Sequence, residues 1–436
     1  MKPIKRHFRL AILGVMLVLS TGLGACSASH DWAIYTGRVI RWGFSDIRDY
    51  EKFPSRTVNN ASPIFFFEQS TTPENLATIE YHYKGQVHQA SFDQFLESTG
   101  TTAFIIIKDD TIVYEKYFNG YQRDSINTTF SAAKSFVSTL IGIAIDEGFI
   151  HGVDNPIVWY LPELRGKGFD DITIRHLLKM SSGIKYQEFP FLNGDDAKTY
   201  YFPDLRWLAL KDTQVIGRPG QQFLYNNYHP LLLGLILERA THQSVADYLE
   251  EKIWKPLGME FPASWSLDSE QSGFEKMESG INARAIDFAR FGRLFLNKGN
   301  WNGNQIVSEG WVNESTSPVL ASHQFWDISS WTHTEGVYYG YMWYARPRQD
   351  GNVDFWARGR YGQLIYIAPQ DRIVIVRCGS RDGDLDSWPD ILRTVADKVK
   401  KTRTTQVYGL TPGCRRRCSA ALRNAPEPDR WASIRG

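Results

Sequence analysis

The sequence predicts an α/β (α+β) fold: an antiparallel sheet built from the two ends of the chain, flanked by helices, with a mostly helical second domain inserted between them. Three observations predict it. Runs rich in β-branched and aromatic residues sit at 102–107 and 111–118, then at 340–345, 353–357, 363–368 and 372–378. Helical patterning dominates the middle of the chain, and a closing helix is expected at 388–400. Strands at both ends of a helical block favour a sheet in which the first and last strands pair. At 436 residues, 42% of them hydrophobic and 14% aromatic, the chain is long enough for a large core and for two domains.

Residues 1–25 read as an export signal. They carry four basic residues and no acidic one, and 10–23 is nearly all apolar or small. The run Leu23-Gly24-Ala25-Cys26 resembles a bacterial lipoprotein cleavage box. Cleavage there leaves Cys26 as a lipid-modified N-terminus, so the expected protein is exported and membrane-anchored, facing the periplasm or the cell exterior. Ser27 after the cysteine leans toward the outer membrane where there are two. An ordinary secretory signal and an uncleaved anchor are the other readings; the stretch is short for a spanning helix.

Residues 26–100 are expected as an irregular, aromatic linker and wrapping segment. The sheet domain is expected at 101–150 and 335–400, with Lys108-Asp109-Asp110 as a hairpin turn. The helical domain is expected at 151–334, with helices near 172–180, 231–240, 244–254 and 282–297 and a long polar, aromatic loop at 184–206. The tail, 401–436, carries eight basic and two acidic residues with Pro412, Pro426 and Pro428, a disordered composition. The overall charge of +1 thus hides basic ends on an acidic body, which argues against nucleic acid as a partner. Cys378 lies in a strand-like run as a buried thiol; Cys414 and Cys418 flank three arginines and could pair in an oxidising compartment. No cysteine or histidine spacing suits a metal, and no cofactor is implied. Oligomeric state is left open.

Chemistry enters at Phe130-Ser131-Ala132-Ala133-Lys134-Ser135-Phe136, which opens an apolar helical segment reaching Glu147. At helical spacing Ser131 and Lys134 share a face. A serine hydroxyl is a weak nucleophile until a neighbouring base accepts its proton. The first turn of a helix also presents N–H groups to a developing oxyanion. Chance also yields this spacing: Ser182-Gly183-Ile184-Lys185 repeats it, but follows a helix, contains glycine and reads as a turn.

Tyr225 and Asn227 form a Tyr-x-Asn element. A tyrosine beside a lysine can move protons, partly as phenolate, and an asparagine can hold a substrate carbonyl and the lysine together. The alternative is a buried, hydrogen-bonded tyrosine near a turn, and Tyr117-Phe118-Asn119 matches the pattern too. The third piece is Ala357-Arg358-Gly359-Arg360-Tyr361-Gly362-Gln363, between two strand candidates. Glycine in a strand admits close backbone approach, and an N–H there could complete an oxyanion hole; a bulge at a sheet edge is the other reading. There is no Gly-x-Ser-x-Gly elbow, His-Glu-x-x-His, phosphate loop or dinucleotide fingerprint. His176 reads as structural.

Together these three pieces resemble the serine β-lactamase and penicillin-binding-protein superfamily, in its class C-like branch near 6-aminohexanoate-dimer (nylon-oligomer) hydrolases and related esterases. Ile172-Thr173-Ile174-Arg175-His176-Leu177-Leu178, Met180-Ser181-Ser182-Gly183, Pro256-Leu257-Gly258-Met259 and Ala289-Arg290-Phe291-Gly292 add to the resemblance, which spans about residues 100–400. It implies a β-lactamase/transpeptidase-like fold and an acyl-enzyme on Ser131, with Lys134 and Tyr225 moving protons. It also implies that Asn227 contacts the substrate amide and the lysine, and that the N–H groups of Ser131 and Arg360, beside Gly359, form the oxyanion hole. The expected partner is a small amide or ester. One departure matters: where β-lactamases carry Lys-Thr-Gly this chain has Ala357-Arg358-Gly359, and Arg358 is expected on the opposite strand face. A β-lactamase or D-alanyl-D-alanine carboxypeptidase is therefore the alternative rather than the first reading. A non-catalytic envelope-binding lipoprotein is the alternative of another class. The acids of the 184–206 loop (Asp195 and Asp196, with Tyr186, Tyr200 and Tyr201) could attract an amine, and the aromatic stretch 325–344 could shape an acyl pocket; a solvated loop and plain core are the competing readings.

Overall fold

An unbroken run, Thr101–Lys108 (β1), is buried along its whole length, as only a central strand covered on both faces can be. The structure, a computed structural model, describes residues 27–71, 74, 76–317, 336–383, 385 and 387–406. β1 turns through Asp109 and Asp110, both at positive φ, into Thr111–Tyr117 (β2). The C-terminal part adds Tyr338–Tyr339 (β3), Tyr344–Pro347 (β4), Val353–Gly359 (β5), Gln363–Ala368 (β6) and Ile373–Gly379 (β7). The sheet runs β3-β4-β5-β6-β7-β1-β2, each pair antiparallel, and Glu68–Gln69 adds a parallel edge to β2. The ends of the chain meet where β7 pairs with β1, from Ile373↔Lys108 to Gly379↔Thr101. The antiparallel α/β expectation is thus what the protein adopts.

Alternation along the strands sends Ile365 and Val374 to one face and Tyr366 and Asp354 to the other. The first face is covered by Ala285–Leu296, where Gly292 sits over Val374 and Ile365. The second is covered by the closing helix Trp388–Gln406, whose Arg393 reaches Asp354 at 3.0 Å. Ala133–Asp146, buried over most of its length, packs on Tyr228–Thr241 of the helical part. In chain order these are α2 (Ala133–Asp146), α4 (Tyr228–Thr241), α5 (Ala285–Leu296) and α6 (Trp388–Gln406); α1 and α3 follow below. A second, small sheet joins Ser55–Val58, Ala263–Ser266, Ile281–Ala283 and Asn127–Thr128.

Three expectations are corrected. The segment expected as irregular contains α1 (Ser27–Trp42), the hairpin Thr78–Tyr83/Gln86–Ser91 and the helix Phe92–Ser98. The loop expected at 184–206 contains α3 (Asp195–Tyr201), and Leu205–Lys211 follows at its end. The closing helix runs to Gln406, past the expected start of the tail at 401. The export signal, Cys26, Cys414, Cys418 and 325–335 of the aromatic stretch lie outside the described residues. Cys378 is buried and free. Among the described residues no helix is long and apolar enough to cross a membrane.

A Cβ on Gly292 would come within 2.6 Å of Val374 Cγ1 and 3.0 Å of Ile365 Cγ2. Gly292→Ala gains about 1 kcal/mol of helix propensity but overpacks a stiff β-branched layer, at a cost of about 1–3 kcal/mol. Urea unfolding should show the variant less stable than the parent by about 1 kcal/mol.

Candidate active site

The small sheet holds the turn that carries Ser131 in place. Asn127–Thr128 pairs with Ile281–Ala283, and the next residue, Thr129, donates from its N–H and its hydroxyl to Ile281 O at 2.9 and 3.0 Å. Phe130 then takes a left-handed φ of 44°. A 3-10 turn, Phe130–Ala132, precedes α2. Ser131 therefore sits in the turn before the helix, and Lys134 in the helix's first turn. Their side chains meet: Lys134 Nζ is 2.8 Å from Ser131 Oγ and 3.1 Å from Glu278 O.

Lys134 is 1% exposed, with the Tyr225 ring 4.9 Å from its nitrogen. Burial disfavours the ammonium and lowers the amine to about 7, against the opposing charges of Glu278 and Asp196. The Tyr225 hydroxyl is hydrogen-bonded to Ser131 and to Tyr344. Burial raises its phenol, and the Ser131 bond and the Arg358 charge offset this only in part. Burial thus favours the neutral amine at Lys134 and the neutral phenol at Tyr225.

Asn227 ends the loop ahead of α4. Its Nδ2 donates to Tyr186 OH at 2.9 Å, Asp196 Oδ1 at 3.2 Å and Thr199 Oγ1 at 3.3 Å. Its Oδ1 is buried with no hydrogen-bond partner among the described residues. The asparagine is thus turned toward the 186–199 stretch rather than bonded to Lys134.

The glycine strand arrives from the other side. A Cβ on Gly359 would lie 2.1 Å from Thr129 O and 3.2 Å from Ala132 N. Only a bare backbone lets β5 end against the turn that carries Ser131. Arg360 follows, with Nη1 2.9 Å from Ser45 Oγ and 3.8 Å from Asp196 Oδ2. Between these parts lies a cleft of about 310 Å³ lined by Ser131, Tyr186, Asp196, Tyr225, Asn227 and Arg358, with Glu188, Tyr344 and Asp382 completing it.

Arg358 was expected on the far face of its strand, yet its side chain lines this cleft, while Ala357 is wholly buried. β5 keeps its register to the end, with Arg358 opposite Leu364 and Gly359 opposite Gln363, and the cleft at the strand's end takes in both residues. Of the loop acids, Asp196 faces the cleft; Asp195 instead accepts from Gln187 N at 2.7 Å and Tyr228 OH at 2.9 Å. Tyr200 and Tyr201 turn away, to Asp49 and to Gly43 O. Ser182 is buried against His229 Nε2 at 2.6 Å, as suits a structural turn, and His176 completes a capping box with Thr173. Glu188, Glu278 and Asp382 were not foreseen. Glu278 had a signal: the charges of Glu275-Lys276-Met277-Glu278 stand in a largely buried stretch, where Lys276 Nζ and Glu278 Oε1 pair at 3.0 Å. Among the described residues no group of three or more histidine, cysteine or acidic side chains could hold a metal.

The chain is similar to proteins already known. The 6-aminohexanoate-dimer hydrolase of Paenarthrobacter ureafaciens is 29% identical over 365 residues, 80% of this chain and 86% of the relative. A solved Bacillus anthracis structure, provisionally named a 6-aminohexanoate-dimer hydrolase, superposes with a TM-score of 0.71 at 25% identity, covering 84% of this chain and 95% of that one. A class C beta-lactamase mutant shares the fold, with a TM-score of 0.51 at 16% identity over 71% of this chain and 94% of that one. The family model described as Beta-lactamase matches residues 89–400. The chain therefore belongs to the beta-lactamase family, a serine-hydrolase family of the penicillin-binding-protein type.

Proposed function

We propose that the protein is a serine hydrolase that cleaves amide or ester bonds of small substrates through an acyl-enzyme on Ser131, in the manner of a 6-aminohexanoate-dimer hydrolase. The observation that carries this reading is the 2.8 Å contact between Ser131 Oγ and a buried amine whose pKa is lowered to about 7. Neutral Lys134 takes the Ser131 proton as Oγ bonds to the substrate carbonyl carbon, and the carbonyl π electrons move onto oxygen. The N–H groups of Ser131 and Arg360 hold that oxyanion. Its collapse breaks the bond to the leaving amine or alcohol, which takes the proton from Lys134 by way of the Tyr225 hydroxyl. Water, losing a proton to Lys134, then attacks the acyl carbon; collapse breaks the bond to Oγ, which takes that proton back, and the carboxylic acid is released. The free Asn227 Oδ1 is suited to accept a substrate amide N–H. Export, and lipid attachment at Cys26, belong to the proposal on sequence grounds alone.

One observation favours a second reading. Arg358 lines the cleft and, among the described residues, has no hydrogen-bond or ion-pair partner. Its charge acts on Tyr225, the proposed donor to the leaving group. A carboxylate on the leaving group would meet it. β-Lactams and D-alanyl-D-alanine peptides carry such a carboxylate, and so does an amide of an amino acid.

Intact mass after treatment with a fluorophosphonate should show one adduct, absent in Ser131→Ala, and that variant should lose turnover of a panel of esters and amides; undiminished turnover by Ser131→Ala sinks the assignment. The rate of acylation by a neutral ester should rise with pH through about 7 and then level, because protonated Lys134 cannot accept the serine proton. Below that point it should fall about tenfold per unit. A profile flat across this range would mean that another group is the base. Arg358→Met should lower kcat/KM about 10-fold or more for amides whose leaving group bears a carboxylate, a charge-assisted contact being lost. Neutral esters should be hydrolysed as before.

A further inference from the structure

We propose that the N-terminal segment is a working part of the catalytic centre: Ser45, acting through Tyr361 and Arg360, positions the oxyanion-binding backbone of the site. This rests on the reading of Ser131 and Arg360 N–H groups as the oxyanion hole, and extends it to residues outside the family match at 89–400.

The two proposed donors each adjoin an aromatic residue in the left-handed region. Phe130, at φ 44°, precedes Ser131, and Tyr361, at φ 63°, follows Arg360. A side chain with a Cβ is disfavoured there, so the surroundings must impose the conformation. The two rings meet edge to face at 5.4 Å, which couples one side of the hole to the other. From beneath, the buried Arg377 donates to Tyr361 O at 2.9 Å and Gly362 O at 2.7 Å. From above, only the N-terminal segment reaches the turn among the hydrogen bonds seen at these two side chains. The Tyr361 hydroxyl donates to Ser45 O, and Arg360 Nη1 donates to Ser45 Oγ at 2.9 Å. Ser45 is 6% exposed.

The segment is itself fastened to the cleft wall. Arg38 Nη1 donates to Tyr201 O at 3.0 Å and Asp268 O at 2.8 Å; Tyr201 OH donates to Gly43 O at 2.6 Å. Tyr200 OH donates to Asp49 Oδ2 at 3.0 Å. α1 and the residues after it therefore bind both α3, which carries Asp196, and the turn that carries Arg360. Tyr361 and Ser45 are positioning residues: neither need touch substrate.

The test uses the full chain. Tyr361→Phe removes one hydroxyl and leaves the ring on Phe130; Ser45→Ala removes the contact to Arg360. For a neutral ester, Tyr361→Phe should lower kcat about 10-fold with KM within about twofold. That is milder than the loss of about 10²–10³-fold on deleting an oxyanion donor. A boronic acid that forms a tetrahedral adduct should bind more weakly by the same factor, since the contact matters most in the transition state. Ser45→Ala should act in the same sense, and the double variant should lose less than the product of the two. Wild-type kcat and boronate affinity in both folded variants would overturn the proposal, as would a fall in melting temperature with kinetics unchanged. Turnover that survives Ser131→Ala would instead remove the underlying reading. Turnover lost in Ser131→Ala but untouched by Tyr361→Phe and Ser45→Ala would remove only this extension.

Discussion

The whole site depends on keeping one amine out of water. A lysine in solvent holds its proton far above neutral pH; burial of Lys134 brings it to about 7, a change of about 5 kcal/mol in the balance between its two states. Desolvation would be undone if the nearby carboxylates acted on the amine at full strength. Glu278 and Asp196 both favour its charged form. Each is restrained by another cation: Glu278 is paired with Lys276 at 3.0 Å within the protein, and Asp196 lies 3.8 Å from Arg360. Desolvation of Lys134 outweighs both carboxylates, each of which also has a second cation beside it. Lys276 is itself wholly buried, and its own pKa is lowered by desolvation against the Glu278 charge.

How much of this was legible follows from how local each signal is. Ser131 and Lys134 lie three residues apart on one helical turn, so their meeting can be read from spacing alone. The central strands were legible as runs such as Thr101–Lys108, whose β-branched residues fit no other element. Glu278 was not, because it reaches Lys134 across 144 positions of sequence. α1 was missed for a different reason. Its Gly37, Thr36, Val39 and Ile40 are modest helix formers. What orders it is tertiary: Tyr35 and Trp32 pack on Phe202, and Arg38 spans to Tyr201 and Asp268. Alternation does set Arg358 and Ala357 on opposite faces; what it could not show is that the cleft at the end of β5 takes in Arg358 as well as Gly359.

The motif Gly359-x-x-Gly362-Gln363 has a physical reading that sequence could not supply. Gly359 is required because Thr129 O occupies the place of a side chain. Gly362, at φ 73°, would put a Cβ 2.1 Å from Arg377 Nη1. Gln363 closes the turn by donating from Nε2 to Arg360 O and Gly379 O while its Oε1 accepts from Gly379 N. The motif is therefore a socket for Arg377 on one side and a flat backbone for the Ser131 turn on the other.

Arg377 explains why so costly a socket is kept. It is a buried guanidinium, pulled down by desolvation, whose bonds go to backbone carbonyls and a threonine rather than to a carboxylate: Tyr361 O, Gly362 O, Thr99 O, Arg381 O and Thr101 Oγ1. Its plane also lies 3.9 Å from the Trp388 ring. Among the described residues no carboxylate bonds to it, although the Asp382 charge acts on it, and such a buried cation is a poor source of stability. A carboxylate bonded there would occupy donors that now hold carbonyls of the Arg360–Gly362 turn. The rigid five-donor fork is used to fix backbone in which a tyrosine is left-handed. Stability given up at Arg377 goes into fixing the Arg360–Gly362 backbone in one position relative to Ser131, the geometric condition that the proposed oxyanion hole would impose.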